Sequence, residues 1–205
     1  MELKNINLLR CTENNVSYII GLENFTHEEV QDFGCVRTER DKRICIFALG
    51  EEGIKKALSK ENYVLIIAVS ENNIIGFILA FGIWKNETDI SRNKLLINDM
   101  AVLKEYRKLG VGTLLIEKLK EYSIKNGYEK LFASTWRSDI PAINLSVKTG
   151  AEKFHGFCLS AMMEEDDKID KKINEYEDVE KEIEKHKDKD EYKEVAISFR
   201  WQVSL

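Results

Sequence analysis

The 205-residue sequence predicts an α/β fold, of the α+β kind with a mixed sheet, on three observations. Two apolar runs rich in β-branched residues, 63–70 and 74–84, are separated only by Glu71-Asn72-Asn73 and read as an antiparallel hairpin. A strand pattern at 95–103, a helical pattern at 112–125 and a strand pattern at 131–136 follow in succession, and strand–helix–strand at that length demands a crossover and a parallel pair. Two further strand patterns, 153–162 and 195–203, close the chain. Antiparallel elements flanking a parallel unit make the sheet mixed.

Taken in order, 6–11 reads as a short first strand. Helical stretches follow over 15–24, with Val16, Ile19, Ile20 and Leu22 as the apolar face, and over 27–33 and 52–60. After the hairpin, 85–93 is a polar loop. In the helix over 112–125, Leu115, Ile116, Leu119 and Tyr122 recur at helical spacing, and Asn126-Gly127 supplies the stop. A short helix over 140–149 ends at Gly150. No internal repeat is present, and the lone proline, Pro141, excludes a polyproline linker. One domain over 1–205 is expected.

Composition removes several classes. Cys11, Cys35, Cys45 and Cys158 are scattered, without a CxxC pair, and His27, His155 and His186 lie far apart, so no metal site is expected. Free thiols and the polar start of the chain suit a cytoplasmic protein, and no apolar run is long enough for a membrane span. The net charge of −5 is local: residues 164–194 hold 15 acidic and 8 basic residues, and the rest is close to neutral. A nucleic-acid-binding surface is therefore not expected.

The acidic segment, about 164–194, has a pattern of its own. Ile169, Ile173, Tyr176, Val179 and Ile183 form one apolar stripe on an otherwise charged helix. The favoured reading docks this helical insertion, lying between the last two strands, on its own domain. The alternative makes it a lid over an acceptor or a partner surface, with a homodimer as one form. The strands it joins could be linked by a few residues, so the core fold is not expected to need it.

The chemistry sits in 98–119, NDMAVLKEYRKLGVGTLLIEKL. A strand feeds a basic, glycine-containing turn that opens a helix, with Arg107, Gly110 and Gly112 spaced Arg-x-x-Gly-x-Gly. Glycine admits close backbone approach, and the helix start offers unpaired N–H groups at the positive end of its dipole. That is an anion site suited to a pyrophosphate, with Lys104, Arg107 and Lys108 adding charge. It is neither a Walker loop nor the dinucleotide GxGxxG pattern.

On these residues the stretch MAVLKEYRKLGVGTLLIEKLKEYSIKNGYEKL resembles the acetyl-CoA-binding core of the GCN5-related N-acetyltransferase superfamily. DIPAINLSVKTGAEKFHGF resembles its second signature, in the family's order and separation. The resemblance covers about residues 60–160. It implies a sheet splayed at a CoA cleft between the strands at 95–103 and 131–136. It implies that main-chain groups of Met100, Ala101 and Val102 pair with the pantetheine arm. Amides of Arg107, Lys108, Leu109, Gly110, Val111, Gly112 and Thr113 would hold the pyrophosphate. Asp139 stands where relatives often have a cofactor-side asparagine.

The implied reaction is direct attack of a primary amine on the thioester of acetyl-CoA, with no metal. Asp99 is the candidate base, with Glu87 and Asp89 as alternatives. Ser146 aligns where the family often has an acidic tyrosine. Serine is a weaker acid, but a thiol with pKa about 8.5 leaves as thiolate with little help. Phe81, Trp84 and Trp136 read as core before acceptor pocket. A small-molecule amine, cationic if the acidic segment steers it, is the expected acceptor. A protein lysine or N-terminus, or a non-catalytic acyl-CoA-binding module, are the alternatives.

Overall fold

The computed structural model describes residues 6–12, 55, 58–59, 62–82, 93–156, 158, 161, 164–187, 189 and 196–203. The helices expected over 15–24 and 27–33, most of that over 52–60, and Trp84, Glu87 and Asp89 lie outside the described residues. The elements are β1 (Asn7–Arg10), β2 (Tyr63–Ser70), β3 (Asn73–Gly82), β4 (Lys94–Val102), a 3-10 turn (Lys104–Tyr106), α1 (Val111–Lys125), β5 (Lys130–Trp136), α2 (Ile140–Lys148), β6 (Glu152–Phe154), α3 (Asp166–Asn174), α4 (Tyr176–Glu184) and β7 (Ala196–Gln202). The strands form one seven-stranded mixed sheet in the order β1-β2-β3-β4-β5-β7-β6. The chain divides into two compact units, Met1–Phe81 with Ile97–Leu119, and Gly82–Leu96 with Lys120–Leu205.

In the first unit, β2 and β3 pair antiparallel around a two-residue turn, Glu71-Asn72, with φ of 50° and 68°. Positive φ at both central positions is the turn geometry whose twist matches a hairpin. Every residue of β2 after Tyr63 is buried, which is why the run is apolar throughout and does not alternate. Leu65, Ile67, Val69, Phe77, Leu79 and Ala101 form the core cluster. Each large aliphatic chain buried this way stabilises by about 1.5–3 kcal/mol. Val111, Leu115 and Ile116 turn the buried face of α1 inward. Gly76 permits close packing there, because a Cβ on it would lie 3.0 Å from the Ala101 carbonyl oxygen and 3.3 Å from Leu115 Cδ1.

In the second unit, β4 and β5 pair in parallel from Lys94↔Lys130 to Leu96↔Phe132. Strand β7 pairs antiparallel with β5 from Lys130↔Gln202 to Trp136↔Ala196, and with β6 on its other edge. Phe132, Phe154, Phe199 and Trp201 fill this core. The Trp201 indole N–H donates to Thr149 Oγ1 at 3.0 Å, anchoring the end of α2.

Two expectations are corrected. The strand expected over 153–162 stops at Phe154: the chain bends at His155-Gly156, and Cys158 and Ala161 are helical and buried. Cys158 donates to the Ala133 carbonyl and Ser198 to that of Gly156, so side chains replace the expected ladder. The single acidic helix is two helices, interrupted at Glu175, which lies between Asn174 and Tyr176. Within the stripe, Ile169 (0% exposed) and Tyr176 (5%) are buried, whereas Val179 is 39% exposed.

Ion pairs hold α3 and α4 in place. Asp166 accepts from Lys130 at 2.6 Å and lies 3.4 Å from Lys94; Asp170 accepts from Arg200 at 2.6 Å. All three cations are buried residues of the sheet. Lys94 also donates to the Glu164 carbonyl at 2.8 Å. Burial pushes the Lys94 ammonium below its usual pKa, only partly offset by Asp166. Burial alone would raise the Asp166 carboxyl, but Lys130 and Lys94 together hold it below its usual value. No described helix is long and apolar enough to cross a membrane.

Candidate active site

Strand β4 brings Asn98 to Val102 into line, and the chain then tightens into the 3-10 turn. Leu103 N–H donates to the Ile75 carbonyl at 2.9 Å, which fixes where the strand ends. Arg107 Nε donates to the Val102 carbonyl at 2.9 Å, so its side chain closes the turn on the strand it follows. Lys108 has φ of 62° and Gly110 φ of 91°. A left-handed conformation costs a non-glycine residue about 1–2 kcal/mol, so the strain at Lys108 points to a constrained local task. Gly110 takes the same region without a Cβ penalty, and nothing within 4 Å fills the space beside it.

Helix α1 starts directly after. Leu114 N–H makes the first intrahelical bond, to the Gly110 carbonyl at 3.0 Å. The amides of Val111, Gly112 and Thr113 therefore have no intrahelical acceptor. The first turn of α1 contains no acidic residue that would cancel the dipole there. Ala101 and Val102 are buried and Met100 half-buried; Lys108 is exposed and Leu109 half-buried. The sequence pattern found this turn. It gave no sign of the Lys108 backbone or of the Arg107–Val102 tether.

Asp99 is half-buried on β4, with Oδ2 accepting from Asn98 Nδ2 at 2.9 Å. In the second unit, Asp139 caps α2: Oδ1 accepts from the Ala142 amide at 3.1 Å and Oδ2 from Thr135 Oγ1 at 3.2 Å. A carboxylate in that place is explained by the helix start alone. Ser146 is buried at 8% exposure, and its carbonyl accepts from Thr149 Oγ1 and the Ala151 amide, both at 3.0 Å. Phe81 stacks on Tyr63 with ring centroids 5.2 Å apart, and Trp136 is half-buried. Among the described residues no group of three His, Cys, Asp or Glu could hold a metal ion.

Sequence reasoning missed a second cluster. Arg137, the residue after β5, forms a bidentate pair with Glu180 of α4, and Glu180 faces His155. Charge patterning hinted at partners for the acidic segment, but nothing local paired residues so far apart.

A strand, a positive-φ basic turn and a helix start on a mixed sheet define an α/β protein with a candidate anion site. This chain belongs to the acetyltransferase (GNAT) family, whose model matches residues 22–151. It is 31% identical over 105 residues to streptothricin acetyltransferase A of Bacillus subtilis (strain 168), covering 51% of this chain and 53% of that protein. The match thus spans about half the length of this relative. An aminoglycoside acetyltransferase from an uncultured soil metagenomic sample has a similar structure, with 25% identity, TM-score 0.54, and 72% and 91% of the two chains covered. The PaiA N-acetyltransferase of Thermoplasma acidophilum in complex with coenzyme A shares the fold, with TM-score 0.60, 14% identity, and 75% and 94% covered.

Proposed function

We propose that this protein transfers the acetyl group of acetyl-CoA to a primary amine of a small molecule, by direct attack in a ternary complex. The observation that carries the reading is the turn from Arg107 to Thr113. Its left-handed Lys108 and Gly110 deliver the chain into a helix whose first amides lack intrahelical acceptors. These amides and the positive end of α1 suit the CoA pyrophosphate, and Lys108 adds an exposed cation. Met100, Ala101 and Val102 would line the pantetheine arm as an added strand does. The Val102 carbonyl accepts from Arg107 Nε, which ties the turn proposed for the pyrophosphate to the strand proposed for the pantetheine arm.

Acetyl-CoA supplies an activated acyl group with a thiolate leaving group. The chain must take a proton from the attacking ammonium or amine, orient it, and stabilise the oxyanion. We assign proton removal to Asp99, whose carboxylate is half-buried and oriented by Asn98. Ser146 is the candidate donor to the departing sulfur, a modest task for a thiol of pKa about 8.5. Asp139 contributes chiefly by fixing α2, since both its oxygens are engaged there. The relatives named for streptothricin and aminoglycoside acceptors support a small-molecule amine. Free, buried Cys11 and Cys158 suit a cytoplasmic setting.

The test is thiol release from acetyl-CoA across a panel of aminoglycosides, polyamines, amino acids and lysine peptides. Acceptor-dependent release with at least one small amine, at higher kcat/KM than any peptide, is expected. CoA binding with no release for any acceptor would make the chain a binding module instead.

A further inference from the structure

Arg137 lies between β5 and the cap of α2, and its side chain is only 9% exposed. Its two terminal nitrogens donate to the two carboxylate oxygens of Glu180 on α4, Nη2 to Oε2 at 2.8 Å. Such a fork fixes the direction of the guanidinium as well as its distance. Glu180 has a second close neighbour, His155, whose Nε2 lies 3.1 Å from its Oε2. The His155 ring stacks on Tyr176 with centroids 4.7 Å apart, and Lys153 Nζ lies 4.7 Å from the Tyr176 centroid. The acidic residues Asp178, Glu182 and Glu184 of α4 pair instead with exposed Lys181, Lys185 and Lys187.

The backbone beside Arg137 is equally constrained. Asp139 N–H donates to the Trp136 carbonyl at 2.9 Å, and the Asp139 carboxylate takes the Ala142 amide and Thr135. Glu180, Arg137, the turn and the start of α2 therefore form one connected chain of contacts.

We propose that Glu180 is a positioning residue: through Arg137 it sets the β5–α2 turn, and with it the orientation of the helix that bears Ser146. The acidic segment thereby tunes α2 from a distance in sequence. The kinetic part of this rests on the acetyltransferase reading; the structural part does not.

Three variants test it: Glu180→Ala, Glu180→Gln, and Glu182→Ala as an exposed control on the same helix. Hydrogen exchange over 136–148 is the first readout. About tenfold faster exchange is expected in Glu180→Ala, an intermediate change in Glu180→Gln, and none in Glu182→Ala. The second readout is kinetic: kcat should fall about 10- to 100-fold in Glu180→Ala, with the KM for acetyl-CoA within about twofold, as for a misoriented reacting group. Unchanged exchange over 136–148 in a folded Glu180→Ala protein overturns the proposal, as does unchanged kcat. If Glu180→Ala does not fold, Glu180→Gln decides by the same criteria. A parent protein with no turnover on any amine counts against the acetyltransferase reading alone, and the exchange measurement still decides the role of Glu180.

Discussion

Arg200, buried on β7 at 4% exposure, donates from Nη1 to Asp170 Oδ1 of α3 across 2.6 Å. It also donates to Glu152 Oε2 on the neighbouring strand, at 3.0 Å from Nε and 2.8 Å from Nη2. Lys94, Lys130 and Arg137 likewise take acidic partners from α3 or α4. The concentrated negative charge of 164–194 is thus in part the counter-charge of buried sheet cations. On the outer faces, Lys171–Glu175, Lys181–Asp178, Lys185–Glu182 and Lys187–Glu184 are exposed pairs within the segment and its flank. The pairs with the sheet cations give the segment a structural contact with the sheet, so the expectation that the core fold does not need it becomes a question of stability.

The first prediction follows. Replacing 164–184 by a short Gly-Ser linker should lower the stability of the protein by more than about 3 kcal/mol, since Ile169 and Tyr176 lose their burial and four cations lose partners. Asp166→Asn alone should cost about 1–2 kcal/mol, low for a buried pair because the Asp166 side chain is 49% exposed. Urea denaturation measures both. A linker variant as stable as the parent would return the segment to surface decoration.

His155 gives a pH prediction. Burial holds its pKa below 6.5; Glu180 raises it in part and Arg137 lowers it again. A histidine depressed in the folded state is protonated more readily when unfolded, so acid favours unfolding. Its contribution should be complete above pH 6.5 and decline as pH falls through the depressed folded value. Glu180, held low chiefly by its hydrogen bond from Arg137, adds a second loss only below about pH 4.5. His155→Phe keeps a ring for Tyr176 to stack on and should flatten the slope of stability against pH just below 6.5. An unchanged slope would show that another group titrates there.

Legibility in the sequence followed how local each determinant was. Residues 63–70 were read to the residue, because a buried β-branched run ends at two turn residues that both take positive φ. The helix over 112–125 missed only Val111, since its buried positions and its Asn126-Gly127 stop lie within the element. The run 153–162 misled because a short apolar stretch has no period that separates strand from helix; Cys158 and Ala161, three apart, share a buried helical face. The break at Glu175 left no mark, because the stripe stays in phase across it and no proline or glycine intervenes. The turn before α1, whose binding of an anion is a proposal, was legible through Arg107, Gly110 and Gly112. The Glu180–Arg137 pair was not, because its members lie 43 residues apart.

Asp99 carries a kinetic prediction. Asp99→Asn should lower kcat about 10²-fold if this carboxylate removes the proton, with little effect on the KM for acetyl-CoA. Asparagine preserves shape and the Asn98 contact, so a change in protonation chemistry is what the variant isolates. A pH–rate profile of both proteins checks it. Parental rate and profile in the variant would make Asp99 a structural partner of Asn98.

The central claim is that the turn from Arg107 to Thr113 binds the pyrophosphate of CoA, and calorimetric titration with CoA tests it most directly. At Gly110, φ of 91° strains any side chain, and a glutamate there places negative charge beside the open amides of α1. The parent protein should bind CoA with a measurable heat and 1:1 stoichiometry, one CoA per turn. Gly110→Glu should lose that heat while its thermal unfolding remains cooperative. CoA affinity in a folded Gly110→Glu protein equal to the parent's would contradict the assignment of this turn as the pyrophosphate site.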